Sequence, residues 1–294
     1  MLLPWLVLLL IPLAILLAAR RRHGAPHRPA GAPAMRELPR LLRRHHSRRN
    51  FLRLGLAVAG AAVLAYGGVD ARVDRWHAAH VRGRTAHTIA DLAHFLGERP
   101  WVLYWLLFAL IDAWWATNPL TRWGRRCFDA TLIGLPGLWV VQRGLGASRP
   151  RETPHGPRFH PLADDNSASG HTFIAAVPFL VAARMSHRMP ARSIAYALSP
   201  VTGWSRIHDR KHYLSQVALG YGLAWQAVDT VMTEPPRALP AHTPTVSDHL
   251  ETAPHRREAG PDRLEAGRDH SRSTADADVA RPERPLSPPD DGAR

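Results

Sequence analysis

Apolar residues in this chain come in blocks of membrane length, separated by polar stretches dense in arginine. The first block, residues 1–19, is apolar throughout, and Arg20–Arg22 follow at once. A cleaved signal sequence carries its charge before the apolar run and a small-residue cleavage site after it. The reverse order here predicts a retained N-terminal transmembrane helix. A basic segment occupies 20–50, and further apolar runs lie at about 51–68, 101–117, 127–142, 171–185, 193–204 and 212–232. The run at 193–204 is short and contains Pro200, which predicts a tilt or kink. Residues 70–99 are polar with spaced apolar positions (Val73, Trp76, Ile89, Leu92, Phe95), the pattern of an amphipathic helix on a membrane surface. TRWGRR at 121–126 reads as a short basic loop and 144–168 as a long polar one. From 233 to 294 large apolar side chains are scarce and Pro, Arg, Asp and Glu abound, which predicts disorder.

These runs predict an all-α, polytopic membrane helix bundle. Six core transmembrane helices fill 51–232, and the N-terminal helix at 1–19 is a seventh. The segment 20–50 and the tail 233–294 are expected to be cytoplasmic and solvated. Average hydropathy is slightly negative, but that mean combines an apolar body with a polar tail. The formal charge of +14 would suit nucleic acid. Its excess, however, sits in Arg20–Arg53 and in short loops beside apolar runs, where the positive-inside rule places cytoplasmic charge, so no nucleic-acid partner is expected. With 20–50 inside, the loops 70–99, 144–168 and 206–211 fall outside and 121–126 and 184–192 inside. A bacterial inner membrane with the site facing the periplasm fits this topology. The outside arginines (Arg149, Arg151, Arg158, Arg206, Arg210) then need a reason, and a phosphate ligand supplies one. The single Cys127 excludes an intrachain disulfide and reads as a buried, inert thiol.

Three clusters at the edges of these runs carry candidate chemistry, and the topology puts them on one face. Ser169-Gly170-His171 stands where a loop gives way to an apolar helix, so free backbone N–H groups and the helix dipole meet there. Arg149-Pro150 offers a guanidinium fork suited to phosphate oxygens. Ser205-Arg206 precedes His212 at the junction of the last two runs. His208 and His212 also have the spacing of a zinc pair, but a third ligand would have to come from Asp209, His155 or His160, and no helical motif places one. No metal is expected.

The order Arg-Pro, Ser-Gly-His, Ser-Arg-x5-His resembles the type-2 phosphatidic acid phosphatase and vanadium haloperoxidase superfamily, over about 142–216 by motif and 51–232 by helix arrangement. The resemblance implies that His212 is the nucleophile, forming a phosphohistidine, and that His171 protonates the leaving group. It implies that Arg149 and Arg206, with Ser169 and the Gly170 N–H, hold the phosphoryl oxygens, and that no metal or cofactor is needed. Three positions depart from the pattern: the family's Lys falls on Gln142, the Pro before Ser-Gly-His is Ala168, and the Asp that orients the nucleophile falls on Gln216. A Gln carbonyl can accept the same hydrogen bond but brings no charge. The resemblance implies a metal-independent membrane phosphatase acting on a lipid phosphate or diphosphate at the outer face. Gln142 and Gln216 motivate an alternative, a catalytically degenerate relative that binds phospholipid headgroups or scaffolds partners. A vanadate-dependent haloperoxidase shares the site, and the membrane runs argue against it.

Overall fold

The computed structural model describes residues 33–114, 117–150, 152 and 156–233, together with Ala14. The helix expected over 1–19, apart from Ala14, and the tail expected to be disordered beyond Thr233 lie outside the described residues. So do Arg151 and His155.

The described residues form an all-helical fold. In chain order the helices are α1 (Pro33–His45), α2 (Arg48–Tyr66), α3 (Val69–His80), α4 (Arg84–Phe95), α5 (Pro100–Trp114), α6 (Pro119–Leu145), α7 (Gly170–Met185), α8 (Met189–Leu198), α9 (Val201–His208) and α10 (Leu214–Met232). Helix α10 packs against α6, α7 and α2. Trp105, Phe108, Ile133, Leu138, Phe173, Leu180 and Leu219 are fully buried in the resulting core. At the end of α10 farther from His212, Asp229 accepts from Arg53 of α2 at 2.8 Å and from Arg184 of α7 at 3.0 Å. These partly buried ion pairs join three helices at their polar ends.

Five sequence expectations change. The stretch 20–50, expected to be solvated, contributes α1, which packs against α10 and α6 with Leu41 and His45 buried. The basic stretch 121–126 is the beginning of α6, not a loop. Asn118 caps this helix, accepting from the backbone of Leu120 and Thr121 at 2.9 and 3.0 Å, and Pro119 occupies the first turn. Arg125 is neutralised within the fold, by Asp112 at 3.0 Å and Asp129 at 3.6 Å. The single amphipathic helix expected over 70–99 is two helices, α3 and α4, separated near Gly83. The run at 193–204 is also two helices, because α8 ends at Leu198 and Pro200 stands immediately before α9. Finally, Arg210 forms an ion pair with Asp74 of α3, so its position needs no phosphate to explain it.

No single described helix is long and apolar enough by itself to cross a membrane. The pair α2 and α3 passes by length and composition but is bent by 63° at Gly67–Gly68, and α5 and α7 are apolar but shorter. In α10 the interior polar residues Gln216, Gln226 and Asp229 dilute an otherwise apolar run.

Candidate active site

The Ser-Gly-His turn is held by two glutamines. Helix α6 ends at Leu145, and Gln142 in its last turn donates from Nε2 to the Ala168 carbonyl at 2.7 Å. From α10, the Gln216 backbone carbonyl accepts from the Ser169 N–H at 2.9 Å. Helix α10 can come this close because position 220 is glycine: a Cβ there would stand 2.4 Å from the Ser169 carbonyl oxygen. Ser169 is fully buried, and its Oγ caps α7 by accepting from Thr172 N and Thr172 Oγ1 at 3.3 and 2.9 Å. That leaves the first N–H groups of α7, starting at Gly170, as the anion-binding end of the turn.

His212 lies in the short connection between α9 and α10 and is 6 % exposed. Its Nδ1 is 2.9 Å from Gln216 Oε1. The same oxygen accepts the Tyr213 N–H at 3.1 Å, and the Gln216 amide nitrogen donates to the Ser148 carbonyl at 2.9 Å. Because that nitrogen must face a carbonyl, Oε1 must face the imidazole, so the proton of His212 is on Nδ1. Its Nε2 is therefore the bare nitrogen. Burial drives the His212 pKa down to about 3; the Gln216 hydrogen bond opposes this, and the charges of Arg206 and Arg149 and the neighbouring His171 add to it. At neutral pH the ring is uncharged, the form a nucleophile needs. Asp70 of α3 steadies the same junction by accepting from Ser215 N at 2.9 Å and Ser215 Oγ at 2.5 Å, capping the start of α10.

The two arginines come from different elements. Arg149, in the loop after α6, has one guanidinium nitrogen 3.2 Å from Glu152; Arg206, in α9, has one 3.3 Å from Asp209. In both, Nε is buried and without a hydrogen-bond partner in the fold. A buried guanidinium N–H facing no acceptor is costly unless a ligand completes it.

A cavity of about 720 Å³ opens onto this cluster. Gln142, Arg149, Gly170, His171 and His212 line it, whereas Ser169, Arg206 and Gln216 are buried and do not. The geometry thus gathers all eight candidates: five line the cavity, and Ser169 and Gln216 support them. Arg206 is buried close enough for its charge to act on both His212 and the neighbouring imidazole, with its Nε left for a ligand. Several other residues come to the site by contacts distant in the chain. His94 of α4 stacks on His171 with ring centroids 4.9 Å apart, and Glu98 is 3.2 Å from His94 and 3.9 Å from His171. The chain passes so close here that a Cβ on Gly97 would stand 2.7 Å from the His171 carbonyl oxygen. Arg99, Asp165 and Asn166 also line the cavity.

Two imidazoles, one with a fixed bare nitrogen, beside two incompletely partnered arginines and a helix N-terminus form a phosphoryl-transfer constellation. The family model of the PAP2 superfamily matches residues 103–233, spanning every one of these residues except Asp70, His94, Gly97, Glu98 and Arg99. Residues 103–233 belong to the PAP2 superfamily. The match supports phosphatase activity, the hydrolysis of a phosphoric ester. No curated protein and no solved structure matches the chain. Within the matched region the departures at Gln142 and Gln216 are filled by side chains that make well-formed hydrogen bonds within the site.

Proposed function

We propose that the protein is an integral membrane phosphatase that hydrolyses a lipid phosphate or diphosphate through a phosphohistidine on His212. Phosphatidic acid, phosphatidylglycerol phosphate, undecaprenyl diphosphate and a lipid A phosphate are the candidate classes. The observation that carries this reading is the two-part cavity. Its polar end holds Arg149, His171 and His212, and its wall continues along Val102 and Leu103 of α5, Leu135, Leu138 and Trp139 of α6 and Ile174 of α7. A phosphate headgroup fits the first part and an acyl or prenyl chain the second. Leu103, Trp139 and Val140 are also more than half exposed, as are Phe51, Leu56 and Val63 of α2, an apolar surface suited to lipid.

In the proposed reaction, His212 Nε2 attacks phosphorus and the P–O bond to the leaving group breaks. Arg149, Arg206 and the N–H groups at the start of α7 take the charge on the phosphoryl oxygens. His171, at the rim of the cavity, takes up a proton as the phosphate binds beside it, gives that proton to the departing oxygen and later takes one from the water that cleaves the P–N bond. Gln216 orients His212 throughout. The arginine-rich segments support a site on the extracytoplasmic face of an inner membrane.

The test is chain-length dependence in the detergent-purified protein. Long-chain lipid phosphates should be hydrolysed at least about tenfold better, by kcat/KM, than the same headgroup on a short water-soluble alcohol, since each buried methylene contributes about 0.8 kcal/mol. Leu103→Asp should erase that preference and leave hydrolysis of the soluble ester intact. Equal rates on both esters in the wild type would reject the lipid assignment while leaving the phosphatase in place.

A further inference from the structure

A second histidine cluster lies outside the phosphate site. His208, at the end of α9, is 1 % exposed, and its Nε2 does not face His212, the partner its spacing suggested. It faces Nδ1 of His87 on α4, at 3.1 Å. Asp209 is adjacent, and one ligand atom from each of His87, His208 and Asp209 lies within 4.8 Å of the other two. His77 of α3 is 4 % exposed, stands edge-on to His208 with ring centroids 5.2 Å apart, and has neither ring nitrogen hydrogen-bonded.

We propose that His87, His208 and Asp209 form a binding site for a zinc-class divalent cation, with His77 beside it as a reserve fourth ligand. Two imidazole nitrogens that face each other at 3.1 Å are close to the separation imposed by tetrahedral coordination, about 3.3 Å for Zn–N bonds of about 2.0–2.1 Å. The ligand set of two imidazoles and a carboxylate suits zinc better than magnesium or calcium, which favour all-oxygen sites. Without a cation, one ring donates its N–H to the other. With one, each ring offers a lone pair at the facing nitrogen and carries its proton on the remote one, so both stay neutral and no proton is lost. The Nδ1 of His208, which would then carry that proton, is buried and has no partner in the fold.

The position gives the site a consequence. His87 belongs to α4, which precedes the Gly97 turn packed on His171, whereas Asp209 pairs with Arg206 at 3.3 Å and stands three residues before His212. A cation here would pin α4 to the end of α9 and draw Asp209 away from the Arg206 guanidinium, leaving more of it to phosphate.

The experiment uses the full, untagged chain in detergent, stripped with chelator, loaded with zinc and desalted. One equivalent of zinc should be retained per chain, and cobalt(II) in its place should give the intense visible bands of a four-coordinate site. His87→Ala, at an exposed ring, and Asp209→Asn should each weaken zinc binding at least tenfold. His94→Ala, which disables the other arrangement of ligand atoms (His94, Glu98, His171), should leave it within twofold. Failure to retain zinc, retention undiminished in His87→Ala, or loss in His94→Ala instead would each overturn the proposal. If His87→Ala fails to fold, the cobalt spectrum of the wild type decides, and six-coordinate or absent bands overturn it.

Discussion

Gln216 holds His212 in one tautomer, its Oε1 2.9 Å from Nδ1 of the imidazole and its amide nitrogen 2.9 Å from the Ser148 carbonyl. A carboxylate would supply charge at this position, but it could not donate to Ser148. The amide therefore does two things: it fixes the His212 imidazole and ties α10 to the loop that carries Arg149.

Loss of this side chain should cost activity through the tautomer. Gln216→Ala is expected to lower kcat by about 10²- to 10⁴-fold, the range for removing the orienting partner of a catalytic histidine. Gln216→Glu should be no improvement. It sets an oxygen against the Ser148 carbonyl, and thermal unfolding should show a loss of about 1–3 kcal/mol.

The buried guanidinium of Arg206 should matter more than its exposed counterpart. Arg206→Lys keeps the charge but not the fork, and kcat should fall by about 10²- to 10³-fold. Arg149, whose side chain is 40 % exposed, should show the smaller loss on the same change. Parallel kinetics on the two variants make the comparison.

Stability should depend on pH through His212. Its folded pKa of about 3 lies below the ordinary 6.5, so the unfolded chain takes up the proton first. This contribution is fully present above pH 6.5 and is lost as pH falls from 6.5 towards 3. Thermal denaturation across that window should show a steeper decline for wild type than for His212→Gln, which has nothing to titrate.

Membrane orientation can be read with cysteine labelling, because native Cys127 is fully buried. Arg158→Cys, in the long loop after α6, should react in intact cells with a membrane-impermeant maleimide. His187→Cys, between α7 and α8, should react only after lysis. The opposite pattern would invert the proposed topology.

Much of the helix order was legible because long apolar runs bounded by arginine carry a strong signal. The segments that became α2, α5, α7 and α10 appear within a few residues of their limits. The stretch 121–126 is helix and not loop because its charges break no helix and Asn118-Pro119 ahead of it is a helix-start signal in its own right. Arg125 sits in the helix because Asp112 and Asp129 neutralise it, and a pairing across α5 and α6 leaves no local trace. In the site, clustered motif residues were visible in the sequence. Their supports at Asp70, His94, Glu98 and Ser148 were not, since each reaches the site by a contact distant in sequence. Gln142 and Gln216 looked like defects because only their lost charge could be read; the carbonyls they face became evident in the fold.

His212 is the proposed nucleophile, and trapping the phosphoenzyme tests that most directly. The purified protein would be mixed with a ³²P-labelled lipid phosphate, quenched in alkali within milliseconds and digested for mass spectrometry. An acid-labile, alkali-stable label on His212, absent from His212→Ala together with turnover, is the predicted result. A label on another residue, or His212→Ala turning over at the wild-type rate, would contradict it.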